Sequence, residues 1–227
     1  MAKNQKTKVS DQAIGLDIQL NKSEAFLERN WKIIVAILAA VIVVVAGIFI
    51  YRNYMSSQTE KANEAIAKSQ AAFGMEQYEQ ALNGDGVNEL GFLKIIDEYS
   101  GTTTANLAKA YAGLCYANLD QTAEAIKMLE DFEPQDDQII SPSAIAALGN
   151  CYVKNGDTKK GAETLEKAAK RADNDAVSPI FLLQAGQLYE NLEQYDKAVA
   201  AYKQIKEKYF RSQLANDIDK YIERATK

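Results

Sequence analysis

Histidine is absent from the 227-residue chain, cysteine occurs twice and proline three times. Without histidine there is no Ser-His-Asp triad, no Cys-His dyad and no imidazole ligand for zinc or haem. Two cysteines, at 115 and 151, are too few for a Cys₄ metal site or for the disulfide framework of a small secreted domain. Basic residues are in the minority: 26 Lys+Arg stand against 31 Asp+Glu, giving a net charge of −5 and a pI near 5.0. That balance disfavours a surface that tracks nucleic-acid phosphates. These shortages leave no catalytic residue, no cofactor site and no metal site to nominate, and the expectation is that the protein is not an enzyme.

What the chain has instead is one long apolar run. From Ile33 to Ile50, eighteen residues pass without a charged or polar side chain. As a helix they cover about 27 Å, close to the ~30 Å hydrocarbon core of a bilayer. Trp31 stands at one edge and Tyr51 and Tyr54 at the other, where amphipathic rings suit the headgroup level. Lys32 and Arg52 bracket the run and can extend their charges outward. A cleaved signal peptide fits poorly, because the lead is long and polar, the apolar core overlong, and the Tyr51–Tyr54 stretch offers no small-x-small site. The expected organisation is a polar lead over residues 1–30, a transmembrane helix over 31–52 and a helical domain over 53–227. Six basic residues in the first 32, against three between Arg52 and Ala72, put the lead in the cytoplasm and the domain across the membrane.

Beyond the anchor the sequence repeats. Lys109-x-x-Ala112-Gly113-x-x-Tyr116, Ile145-x-x-Leu148-Gly149-x-x-Tyr152 and Leu182-x-x-Ala185-Gly186-x-x-Tyr189 place their glycines 36 and 37 residues apart. Each continues into a small residue, Ala125, Gly161 or Ala198, followed four residues later by Leu129, Leu165 or Tyr202. Small residues let two helices approach closely while the tyrosines fill the space between turns. The prolines punctuate the same period: Ser141-Pro142 and Ser178-Pro179 read as N-cap serines with first-turn prolines, and Pro134 follows a helix end. Asn155-Gly156 reads as the end of a first helix. Residues 57–82 read as a further long helix, broken at Asn83–Gly86, with a partner helix over 91–99.

This pattern resembles the tetratricopeptide repeat (TPR), a helical hairpin that stacks into a solenoid. The expected fold is all-α, a TPR-like solenoid on a single N-terminal transmembrane helix. Repeats are expected over about 57–100, 104–136, 142–175 and 179–211, with a capping helix over 212–226. The resemblance implies a partner-binding groove lined by first-helix residues turned away from the second helices. On this chain those positions are Leu107, Tyr111, Leu114 and Asn118, then Ala147, Asn150 and Lys154, then Gln184, Gln187 and Asn191. Only Lys154 is basic, which speaks against capture of a C-terminal carboxylate and for an apolar segment. The competing reading is that leucines and alanines at these places pack against the N-terminal helix. Cys115 and Cys151 occupy equivalent places, and either pair across adjacent helices or serve as small buried packing residues; no CxxC partner activates them. The Asn83-Gly84-Asp85-Gly86 loop with Asn88 and Glu89 departs from the calcium-loop spacing and reads as a turn.

In layout, a short lead, one span and a TPR array resemble the YfgM-like proteins of bacterial inner membranes. That resemblance implies a periplasmic array, association with the SecYEG channel, and a membrane-anchored periplasmic chaperone of the prolyl-isomerase class as partner. The stretch Phe92–Tyr99 followed by Ala105–Ala112 also resembles TPR proteins of outer-membrane assembly. The alternative is therefore a scaffold of another envelope machine, for outer-membrane assembly, division or gliding.

Overall fold

The computed structural model describes residues 3–87 and 89–226, with side chains from residue 29 onward. It divides into two compact units, residues 1–54 and 55–227. From Lys3 on, the first unit lies within one long helix, α1 (Lys3–Gly74). From Arg29 on, α1 contains an eighteen-residue window of mean hydropathy 3.4, none of it buried, long and apolar enough to cross a membrane. Of the polar lead expected over 1–30, residues 1–28 lie outside those whose side chains are described.

The second unit opens with the last turns of α1 and continues through α2 (Tyr78–Asn83), α3 (Phe92–Glu98), α4 (Thr103–Asn118), α5 (Thr122–Asp131), α6 (Ile140–Lys154), α7 (Thr158–Ala172), α8 (Ser178–Asn191), α9 (Tyr195–Lys208) and α10 (Asp219–Ala225). No strand is present among the described residues; a lone bridge joins Gly84 to Leu90. Three hairpins, α4–α5, α6–α7 and α8–α9, are closed by the same turn. Its apex is a left-handed residue: Asp120 (φ 61°), Gly156 (φ 92°) or Glu193 (φ 58°). The amide of the next residue reaches back five positions, from Gln121 to Tyr116 (2.9 Å), Asp157 to Tyr152 (2.9 Å) and Gln194 to Tyr189 (2.8 Å). This is the Schellman-type closure that satisfies carbonyls at a helix end.

The same turn occurs once more, where the sequence led us to expect an uninterrupted helix. Glu76 has φ 61° and the Gln77 amide donates to Ala72 at 3.0 Å. The helix expected over 57–82 is therefore two: α1 stops at Gly74 and α2 starts at Tyr78. Ala81 then stands where Ala125, Gly161 and Ala198 stand, four residues after the turn's last residue. From Glu76 to Asp120 is 44 residues, against 36 and 37 for the later intervals. The excess corresponds to the segment between α2 and α3, which interrupts the second helix of the first hairpin. Asp85 Oδ1 holds this segment as a turn by accepting from the Val87 (2.9 Å) and Glu89 (2.8 Å) amides; Asn88 lies outside the described residues.

Hairpins close tightly through their glycines. A Cβ on Gly186 would lie 2.7 Å from Cζ of the Tyr202 ring, and one on Gly113 2.5 Å from Leu129 Cγ. In the first hairpin the equivalent residue is Ser69, buried, whose hydroxyl donates to the Leu90 carbonyl. Fully buried Tyr189, Tyr202, Phe92, Ile95, Leu165 and Leu182 fill the hairpins. Burial of such side chains contributes about 1.5–3 kcal/mol each before entropy is counted.

The joints between hairpins correct one expectation. Ser141 and Ser178 sit inside the first turns of α6 and α8 and do not act as N-caps. Asp137 does that work for α6: its Oδ1 accepts from the Ile139 (3.0 Å), Ile140 (2.6 Å) and Ser141 (3.0 Å) amides. Before α8, Asn174 Oδ1 holds the entering loop by accepting from the Ala176 (2.9 Å) and Val177 (3.0 Å) amides. Both serines are buried and face backward; Ser178 donates to the Ala169 carbonyl of α7 at 2.9 Å, tying one hairpin to the next. The terminal helix expected over 212–226 is also divided, into a 3₁₀ turn (Gln213–Asn216) and α10, with buried Ile218 between them.

Candidate protein-binding face

The first helices α4, α6 and α8 each carry the expected groove residues on one side. Asn118, Asn150, Lys154, Gln187 and Asn191 are exposed, while Leu107, Tyr111, Leu114, Ala147 and Gln184 are half-buried. Two of the ten, both on α4, pack into the first hairpin. Tyr111 stacks on Phe92 (centroids 5.2 Å apart, planes at 13°) and meets Phe73 edge-on at 5.2 Å. Leu107 packs against the same apolar cluster, which includes Ile66 of α1. For these two, packing against the N-terminal helix is what the structure shows. Leu114 and the α6 and α8 residues keep an open side.

This strip is electrically neutral. Its one cation, Lys154, donates to the carboxylate of Asp120 in the preceding hairpin turn. That hydrogen bond, with the ammonium charge behind it, holds the Asp120 carboxyl below its ordinary value. The remaining polar groups are amides. Asn118 Nδ2 donates to the Leu114 carbonyl at 2.8 Å, and Gln184 Oε1 is shut from solvent and accepts no hydrogen bond among the described residues. A face of amides and aliphatic groups can accept backbone and apolar side chains. A carboxylate or ammonium entering it would lose hydration without a counter-charge.

Sequence inspection missed the polar ladder behind this face. The Tyr152 hydroxyl donates to Glu130 of the preceding hairpin, and Tyr189 repeats the bond to Glu166 at 2.9 Å. At the end of the array Tyr202 and Arg224 converge on Glu190, the arginine with two bonds of 2.8 and 2.9 Å. Burial, reinforced by the neighbouring glutamates, raises the phenol pKa of Tyr152, Tyr189 and Tyr202. Arg224 holds the Glu190 carboxyl below its usual value. The tyrosines were legible as a period, but their carboxylate partners follow no fixed offset within a helix.

Cys115 and Cys151 are both free and buried. Burial pushes the Cys115 thiol up to about 12 and raises Cys151 as well, so neither forms a reactive thiolate at neutral pH. Among the described residues no group of three or more Cys, Asp or Glu is placed to hold a metal ion.

Comparison with known families matches two segments, residues 142–175 and 181–209, each to a model described as tetratricopeptide repeat. The matched segments coincide with α6–α7 and α8–α9. No curated protein matches the chain. TPR repeats are thus present in the C-terminal region, the fold is an all-helical TPR-like array, and TPR arrays are protein-interaction modules.

Proposed function

We propose that the protein is a membrane-anchored interaction subunit of the bacterial inner membrane, with its N-terminus cytoplasmic and its array periplasmic. On this reading it stands beside the SecYEG channel and holds a periplasmic chaperone of the prolyl-isomerase class, or emerging chains, near the exit. No chemistry is performed; the binding energy comes from the first-helix strip and from contacts of the span. The observation that carries the reading is the neutral strip, with Lys154 matched by Asp120. Such a strip suits uncharged polypeptide and offers nothing to a terminal carboxylate. The apolar helix near the N-terminus and the basic bias of the lead support the topology.

Affinity purification of the full chain from solubilised inner membranes tests the assignment. Recovery of SecY with a periplasmic chaperone is the expected result. Recovery of outer-membrane assembly or division proteins without SecY contradicts it and moves the protein to the scaffold class.

A further inference from the structure

The open side of α6 and α8 changes character along each helix. On α8, Ile180, Leu183, Gln184, Gln187 and Asn191 follow the three- and four-residue spacing of one helical stripe. On α6 the equivalent stripe runs through Ile140, Ser143, Ala147, Asn150 and Lys154. Each stripe begins with an exposed isoleucine, passes over half-buried side chains and ends in exposed polar groups. Beyond α1, seven large apolar side chains are exposed among the described residues, and three of them, Ile139, Ile140 and Ile180, stand where α6 and α8 begin. The two on the stripes are each 44% exposed. An apolar group laid over them removes that surface from water, which is favourable.

The opposite edge is made of amides. Asn150, Gln187 and Asn191 are exposed, and their side chains make no hydrogen bond among the described residues. Lys154 is the sole charge on either stripe, and Asp120 matches it. Ile180 and Gln187 are seven residues apart in α8, about 10.5 Å along the helix axis. A helix with its side chains is about 10–12 Å across. One laid across α6 and α8 therefore reaches from the isoleucines to the amides, and can turn an apolar sector to one edge and a polar sector to the other. An extended chain in the same place sends alternate side chains toward the strip and away from it. Its flanks are backbone, which does not match an apolar edge on one side and an amide edge on the other.

We propose that the strip takes an amphipathic helix of the partner polypeptide, laid across α6 and α8, with an aliphatic sector against Ile140 and Ile180 and an uncharged polar sector against Asn150, Gln187 and Asn191. The inference rests on the reading of the array as a polypeptide-binding module and names the conformation and pattern that module selects. Apolar burial at one edge supplies affinity, and the amides fix how the bound helix is rolled.

The test uses the full chain in zwitterionic nanodiscs, with empty nanodiscs as blank, and fluorescence anisotropy of labelled peptides about four helical turns long. The parent peptide carries leucines on one helical stripe and glutamine, serine and alanine elsewhere. A second peptide has the same composition with its leucines out of period, and a third has proline at its centre. The parent should bind, and either change should weaken binding by about ten-fold or more. Ile140→Asn with Ile180→Asn, at positions already open to water, should weaken binding of the parent by about ten-fold. Phe210→Asn, an exposed position off both stripes, should leave it unchanged. Isotope-edited infrared spectra of the parent, with carbon-13 in its carbonyls, should show it helical when bound. Equal binding of all three peptides, lost with Gln187→Arg, overturns the helix and leaves the strip as a face for extended chains. Parent binding undiminished by the two isoleucine substitutions overturns the apolar edge and the proposal with it. Failure of every peptide to bind overturns the inference, and the affinity purification described above then judges the broader reading by itself.

Discussion

Gly186 shows how a single atom governs the approach of two helices. The Tyr202 ring it faces is fully buried and its hydroxyl is held by Glu190, so the ring has no room to retreat. Alanine at 186 gains about 1 kcal/mol of helix propensity but places its Cβ 2.7 Å from Cζ of the ring and closer still to Cε1, and overpacking costs about 1–3 kcal/mol. The expected net result for Gly186→Ala is destabilisation, seen as a lower thermal midpoint by circular dichroism. Gly74→Ala is the control: nothing lies within 4 Å of its added Cβ, and it should be neutral or stabilising. An unchanged midpoint for Gly186→Ala would mean that the α8–α9 hairpin is looser than described. At this scale the sequence was most readable where size alone decides, as at Gly113, Gly149 and Gly186. It was least readable for buried hydrogen bonds such as Tyr189 to Glu166, which depend on the rotation of one helix against another.

Helix boundaries obey the same division. The three C-terminal hairpins could be traced because each keeps its glycine, tyrosine and small residue at fixed offsets. The first hairpin was obscured because Ser69 and Ala72 stand at its glycine and tyrosine places, and the segment between α2 and α3 breaks its second helix. The start of α6 was misread for a physical reason: a serine beside a proline looks like a cap, but Asp137 lies upstream with two acceptor oxygens and takes the amides first. Burial works against the Asp137 charge, yet the Ser141 hydroxyl and the Ser141, Ile139 and Ile140 amides outweigh it and hold the carboxyl below its usual value. A carboxyl whose folded pKa is depressed adds stability above its unfolded pKa and loses it as pH falls through the folded value. Asp137→Ala should therefore cost about 1 kcal/mol near neutrality. Wild type and variant should converge as pH drops below about 4. Denaturant titrations at several pH values check this, and a gap that persists in acid would assign the effect to packing.

Across the whole molecule, charge is distributed by task. The apolar helix near the N-terminus carries none over eighteen residues, and the first-helix strip cancels its single cation with Asp120. The sequence exposed the array and the poverty of basic groups along this strip. It did not disclose that Tyr111 is turned inward between Phe73 and Phe92, because a half-buried aromatic and a groove aromatic share one place in the repeat. The central claim is that the open part of the strip binds polypeptide, and photo-crosslinking in the native membrane from a photoreactive residue at Gln187 tests it most directly. The account predicts captured protein from Gln187 and little from Lys170 on the outer side of α7, with SecY, a periplasmic chaperone or secreted chains among the products. Equal capture from both positions, or none from Gln187 while Lys170 is productive, would contradict it.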